Sequence, residues 1–178
     1  MQDQATSIDH HQTDRSTADK RYPVGALAAN VPTIAQRTNC EEVSQFLNDH
    51  PEISAAAIVD DELKVVGMLN TTKFLTKYSR QYSRELYGRK SILKMACDDP
   101  LVFDEAIDIA NLAASMPSAK SDDLLDGFAI TRGGKYLGVG TGSALLRAQL
   151  SLLKIHEQEL SAALKAAEEA KIAAEHAN

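Results

Sequence analysis

A duplicated strand–turn–strand constrains this chain more than any other feature. Residues 55–71 read Ala-Ala-Ala-Ile-Val-Asp-Asp-Glu-Leu-Lys-Val-Val-Gly-Met-Leu-Asn-Thr. That is an apolar run, a polar turn, a second apolar run around Gly67, and the start of a helix. Shifted by 71 residues, Ile58–Thr71 lies over Ala129–Gly142 without a gap. Val59 then falls on Ile130, Lys64 on Lys135, Val66-Gly67 on Leu137-Gly138 and Leu75 on Leu146. A supersecondary unit that occurs twice predicts two similar halves packed on each other.

The flanks repeat as well. Val24–Val31 predicts a helical turn ended by Pro32, and Pro32-Thr33-Ile34-Ala35 a short extended piece, its Pro at a first position where a missing N–H is tolerated. Pro100-Leu101-Val102-Phe103 restarts that piece 68 residues later. Asn39 predicts a helix N-cap, with Glu42 three residues on, Val43, Phe46 and Leu47 on one face, and Pro51 beyond the end. Asn70-Thr71-Thr72 opens another helix, with Phe74, Leu75 and Tyr78 inward, and Ser91–Met95 predicts a short helix. In the second half Ile107, Ile109, Leu112 and Ala113 predict a helix capped by Asp104 or Asp108. The loop Pro117–Asp123 is longer than its counterpart. Arg132-Gly133-Gly134 predicts the turn between paired strands, because Gly-Gly permits positive φ at both central positions.

Composition sets the bounds. A chain of 178 residues, 44% hydrophobic, suits one globular domain or two small ones. A formal charge of −6 argues against nucleic-acid backbone and anionic membrane as partners, and no apolar run of eighteen residues exists to span a bilayer. Residues 1–21 are polar, with one isolated Ile, and predict a flexible tail with no secretory character. Cys40 and Cys97 lack CxxC spacing and read as intracellular thiols of a cytoplasmic chain. The His10-His11 pair has no further ligand near it, and Asp98-Asp99 and Asp122-Asp123 read as solvent-facing turns, so no metal is expected. Catalysis is not expected either. The histidines lie in the tail, at His50, and at His156 and His176, and no nucleophile, base and orienting group fall into an arrangement.

Two stretches stand apart from the repeat. From Tyr78 to Lys90, Arg80, Arg84, Arg89 and Lys90 are interleaved with Tyr78, Tyr82 and Tyr87. Arg forks hold phosphate, which makes Arg80, Arg84 and Arg89 anion candidates; an ordinary solvated helix end is the alternative. From Ser143 to His176 there is no Pro or Gly, and one long helix is predicted. Leu146, Leu153, Leu160, Ala167 and Ala174 recur every seven residues, with Leu150 and Leu164 three before Leu153 and Ala167. These are heptad positions, weakened by Glu157 and Lys171 on the seam, and a partner helix is the expected cover. Folding back onto its own domain is the alternative.

Each half thus reads Pro-strand, helix, strand, hairpin, strand, helix. That order, carried by Pro32-Thr33-Ile34, Ala57-Ile58-Val59-Asp60 and Val66-Gly67-Met68-Leu69-Asn70, and again by Pro100-Leu101-Val102, Ala129-Ile130-Thr131 and Leu137-Gly138-Val139-Gly140-Thr141, resembles the cystathionine-β-synthase (CBS) domain. CBS domains occur as tandem pairs, or Bateman modules, and the resemblance covers about residues 22–152. It implies an α+β fold of two β-α-β-β-α units packed as a pair, often as a dimer of pairs. It also implies an adenine nucleotide or related ligand in clefts between the units. The family's binding pattern is Gly, an apolar residue, any residue, Thr or Ser, and an Asp three further on that holds the ribose hydroxyls. Here Gly67-Met68-Leu69-Asn70-Thr71-Thr72-Lys73 and Gly138-Val139-Gly140-Thr141-Gly142-Ser143-Ala144 put Lys73 and Ala144 where the pattern has Asp. On this resemblance the ligand-binding candidates are Thr33, Ile34, Ile58, Asn70, Lys73, Val102, Ile130, Arg132 and Thr141. Lys73 and the Arg cluster favour an anionic ligand.

The Ala/Glu-rich stretch 160–178 resembles the helical linkers that precede histidine kinase or diguanylate cyclase output domains. The expected organisation is therefore a tail (1–21), a first unit with its connecting helix (22–95), a second unit (96–152) and a coiled-coil linker (153–178). The expected function is a bacterial sensory module, dimeric through its CBS units and last helix, that relays ligand binding to a fused kinase or cyclase. The alternative is a degenerate pair serving only as a dimerisation module.

Overall fold

A computed structural model describes residues 21–116, 120 and 122–177. The expected tail and most of the Pro117–Asp123 loop lie outside the described residues. The architecture is α+β, with two three-stranded sheets and a long final helix. The first unit orders its strands β1 (Ile34–Ala35), β2 (Ala55–Val59) and β3 (Val65–Asn70); the second orders β4 (Val102–Asp104), β5 (Phe128–Arg132) and β6 (Lys135–Gly140). In each, the first pair is parallel and the second antiparallel. The helices are α1 (Cys40–Asp49), α2 (Thr71–Tyr78), α3 (Ser83–Tyr87), α4 (Asp123–Asp126) and α5 (Gly142–His176).

Helix starts fall where side chains replace missing backbone partners. Asn39 Oδ1 accepts from Glu42 N–H at 2.9 Å, while Asn39 Nδ2 donates to Glu42 Oε1 at 2.9 Å. Asn70 accepts from Lys73 N–H at 3.0 Å and Thr141 from Ala144 N–H at 3.2 Å. One expected helix is absent. The stretch carrying Ile109, Leu112 and Ala113 forms two 3₁₀ turns, Ile109–Asn111 and Ala113–Ser115, rather than a continuous α-helix. Asp108 caps the first turn through Ala110 N–H at 3.0 Å, and Pro117 disfavours helical backbone just before it, leaving too few residues to propagate an α-helix.

The two hairpins differ in a way that shifts the repeat. In the first, Asp60 Oδ1 accepts from the Glu62 and Lys64 N–H groups at 2.9 Å each, and Leu63 takes φ 64°. In the second, Gly133 (φ 57°) and Gly134 (φ 78°) turn the chain in two residues. Ile58 pairs with Gly67 and Ile130 with Gly138, so Ile58 corresponds to Ile130, one residue away from the ungapped alignment that put Val59 there. The first strand is displaced likewise. Ile34 pairs with Ile58 and Phe103 with Ile130, so the partner of Ile34 in the repeat is Phe103 rather than Val102. Strand side chains alternate, so this single residue decides the face: Phe103 is buried in the second core and Val102 is exposed.

Alternation also builds the contact between units. Ala56 and Ile58 point into the first core, Phe128 and Ile130 into the second, and Ala55, Ala57, Met68, Ala129 and Val139 form a third cluster between the sheets. Small residues there let the two sheets approach closely. The segment before each unit crosses to the other. Val24, ahead of the first sheet, belongs to the second core, while Ile92 and Met95, ahead of the second sheet, belong to the first. Backbone pairs fix the crossings: Ala29 and Val139 exchange hydrogen bonds at 2.9 and 3.0 Å, as Met68 and Cys97 do at 3.1 and 3.0 Å. A Cβ on Gly138 would stand 2.8 Å from the Ala29 carbonyl oxygen, so the close crossing requires glycine there.

α5 uses two faces. Leu145, Ala148 and Leu152 pack on the second core. Leu146, Leu150, Leu153, Leu160 and Leu164 are each 57–65% exposed. The helix does not fold back over its own domain, and its apolar heptad stripe is bare in the single chain.

Candidate functional site

The crossings leave two clefts related by the internal repeat. The first is lined by Met68, Asn70, Lys73, Phe74 and Lys77 from the first unit, by Met95, Cys97, Pro100 and Leu101 from the crossing, and by Asp123 and Asp126 from the second unit. The second is lined by Ala29, Asn30, Val31 and Pro32 from the other crossing, by His50, Glu52, Ile53, Ser54 and Ala55, and by Val139 and Thr141. Asn70 at the head of α2 and Thr141 at the head of α5 therefore hold corresponding places, one in each cleft.

The clefts differ in what closes them. In the first, Lys73 forms an ion pair with Asp126 across the unit boundary, and Asn70 Nδ2 donates to the Asp126 carbonyl at 3.4 Å. The Lys73 ammonium is held above its ordinary pKa, first by its hydrogen bond to Asp126, with the neighbouring Asp123 and Asp122 charges adding to it. The space remaining is about 140 Å³. The second cleft has Ala144 at the position matching Lys73, no ion pair across it among the described residues, and about 260 Å³. Ligand pockets typically begin near about 300 Å³, so the second approaches that size and the first falls to half of it.

Of the residues expected from sequence, Asn70 and Lys73 line the first cleft and Thr141 the second. Thr33, Ile34, Ile58, Val102, Ile130 and Arg132 line neither. Ile34, Ile58 and Ile130 are buried in the two cores. Arg132 sits at the hairpin end of β5, away from Thr141, where its guanidinium meets Glu105 at 2.6 and 2.7 Å. That pair lowers the Glu105 pKa and raises that of Arg132. Arg80, Arg84 and Arg89 also line neither cleft; Arg84 stands 6.0 Å over the Tyr78 ring, which stacks on Phe74.

Sequence reasoning missed Asp126, Asn30, Glu52 and Ser54 as cleft residues, and had weighed His50 only as a catalytic base. Each lies beside a crossing or just before a central strand, Asp126 at the end of α4 and the others in loops, and only the packing of one unit on the other brings it to the helix head it faces. The signal available was the repeat itself, because Ser54 and Asp126 hold matching places just ahead of β2 and β5. The Cys40 thiol is unlike a nucleophile in its setting. Cys40 is buried, donates to the Ser91 carbonyl at 3.8 Å, and has its pKa pushed up by burial. Among the described residues, no group of three or more His, Cys, Asp or Glu is placed to hold a metal ion, and no helix is long and apolar enough to cross a membrane.

No family model matches the sequence, and no curated protein matches it. Solved structures do. CBSX2, a CBS-pair protein of Arabidopsis thaliana crystallised with AMP, shares 18% identity and a TM-score of 0.57, over 74% of this chain and 98% of CBSX2. A putative acetoin utilization protein from Vibrio cholerae shares 16% identity and a TM-score of 0.57, over 78% and 97% of the two chains. A CBS domain pair crystallised with 5′-methylthioadenosine and S-adenosyl-L-methionine shares 17% identity and a TM-score of 0.55, over 74% and 98%. At such identities the likeness is one of fold. The chain has the fold of a tandem CBS pair.

Proposed function

We propose that this chain is a regulatory CBS pair that binds a small ligand between its units and passes the occupancy on through α5. The observation that carries this reading is the position of Thr141, which lines the second cleft and is also the N-cap of the 35-residue α5. A ligand that moves Thr141 moves the first turn of a helix about 50 Å long at 1.5 Å per residue. The adenine ligands bound by CBSX2 and by the methylthioadenosine-binding pair support an adenine nucleotide or related compound as the class to test. The receiver is a bacterial kinase or cyclase domain joined after α5, acting in the cytoplasm. Coupling requires that the ligand favour one arrangement of the units over another. Isothermal titration of the chain against a panel of nucleotides and anions tests the sensing step. Binding by at least one adenine compound is expected, and none across the panel would overturn it.

The exposed leucine stripe of α5 favours a companion role in dimerisation. Five leucines at heptad spacing, none covered by the chain's own body, suit a second copy of the same helix. Under a purely structural reading, removing 154–178 alters the oligomeric state while no small molecule shifts the melting temperature.

A further inference from the structure

We infer that the two clefts are not equivalent: the second alone takes ligand, one per chain, and it selects an uncharged nucleoside over a nucleotide. This inference rests on the ligand-binding reading above and narrows it to one cleft and one class.

The first cleft is spanned by the protein's own charges. Lys73 reaches across to Asp126 with Asp123 beside it, so the side chain at the ribose position is engaged internally and about 140 Å³ is left. The second has about 260 Å³ and no such strap. Its walls divide by chemistry. Ala29, Val31, Pro32, Ile53, Ala55 and Val139 make an apolar slot that suits a planar base. Asn30, Ser54 and Thr141 supply neutral hydrogen-bonding groups on its rim.

The charged groups in the second cleft decide the class. Among the described residues no Lys or Arg lines it, and its one carboxylate is Glu52, which is exposed and has no ion-pair partner there. A carboxylate accepts two hydroxyl donors, which is how a ribose diol is held. Glu52 thus supplies, from the loop before β2, the group that Ala144 does not supply from α5. His50 Nδ1–H already donates to the Phe46 carbonyl at 2.8 Å, so that nitrogen is engaged within the chain. The head of α5 offers backbone donors to an anion, but its cap already takes the Ala144 N–H. A phosphate entering this cleft would meet a carboxylate with no Lys or Arg among the lining residues to offset it, an arrangement that penalises charge. An uncharged nucleoside, or one bearing a neutral thioether, meets no such penalty.

The test is isothermal titration of the full chain with adenosine, 5′-methylthioadenosine and AMP, repeated on Glu52→Gln and on Ser54→Phe, both exposed positions. One nucleoside should bind per chain, AMP at least tenfold more weakly. Glu52→Gln should weaken the nucleoside about tenfold or more, and Ser54→Phe should abolish it by filling the slot, with both variants melting at the wild-type temperature. Two equivalents of ligand, AMP binding as tightly as adenosine, or a nucleoside affinity indifferent to both substitutions would each overturn the inference. Binding of a nucleotide or anion that Ser54→Phe leaves intact would overturn it while sparing the ligand-binding reading. Silence from every compound would remove both.

Discussion

Lys73 at the head of α2 in the first unit is ion-paired to Asp126 at the end of α4 in the second, a salt bridge that spans one cleft. Its counterpart across the internal repeat is Ala144, which can strap nothing. One substitution between two copies of a motif therefore gives two clefts of like backbone different walls, an ion pair across the first and an alanine at the matching place by the second. The consequence is asymmetry in a pair whose scaffold is nearly symmetric.

Reversing the charge at Lys73 should loosen that strap without unfolding the chain. Lys73 is largely exposed, and exposed pairs contribute little to global stability. For Lys73→Glu we expect an unchanged urea midpoint but faster hydrogen exchange over 123–126, because the introduced carboxylate would repel Asp126. Unaltered exchange there would show that the strap holds nothing in place.

The alanines between the sheets predict a packing penalty. Ala129 is fully buried in the cluster with Ala55, Ala57, Met68 and Val139. Ala129→Leu inserts three carbons between closely packed sheets, and overpacking of this kind costs about 1–3 kcal/mol. Chemical denaturation should show that loss, larger than for the same change at an exposed strand position such as Val102→Leu.

The Glu105–Arg132 pair predicts an acid-side dependence. Arg132 lowers the Glu105 pKa in the folded chain, so the pair's contribution is present above the unfolded carboxylate value and is lost as pH falls through the folded one. Melting curves of wild type and Arg132→Gln should differ at neutral pH and converge in acid. Tyr136 gives the opposite sign. Burial raises its pKa, and its hydroxyl donates to the Val31 carbonyl at 2.7 Å, so its contribution is lost as pH rises above about 10. Tyr136→Phe should remove that alkaline loss.

Shortening α5 separates its two faces. Removing 154–178 deletes Leu160 and Leu164 but keeps Leu145, Ala148 and Leu152, which pack on the second core. Sedimentation should show a smaller oligomer while the thermal stability of the body stays close to wild type. A fall in the body's stability that persists at concentrations where both forms are monomeric would mean the distal helix does fold back.

Much of the scaffold was legible because its signals are local. Asn39, Asn70 and Thr141 cap helices within four residues of the groups they serve, and Gly133-Gly134 turns a hairpin by backbone freedom alone. The ungapped repeat was misleading by one residue because Asp60 and Leu63 build a longer turn than the two glycines do. The first strand is offset by one residue as well, and there period-two alternation decides the face, so Phe103, not Val102, fills the core.

The clefts were legible only in half. The helix heads carry the repeated motif, so Asn70, Lys73 and Thr141 could be read directly. Glu52 and Ser54 belong to a loop, and Asp126 to the one-turn helix α4, whose sequences resemble any polar turn. What the sequence determined by itself was the repeated unit, its alternation, its caps and the helical run after residue 142, since each depends on neighbours a few positions apart. The tertiary structure alone decided which loop of one unit faces which helix of the other. That choice follows from the crossings at Ala29–Val139 and Met68–Cys97, backbone pairings between residues far apart in the chain. It put Asp126 against Lys73 and left Glu52 without a cation in the same cleft.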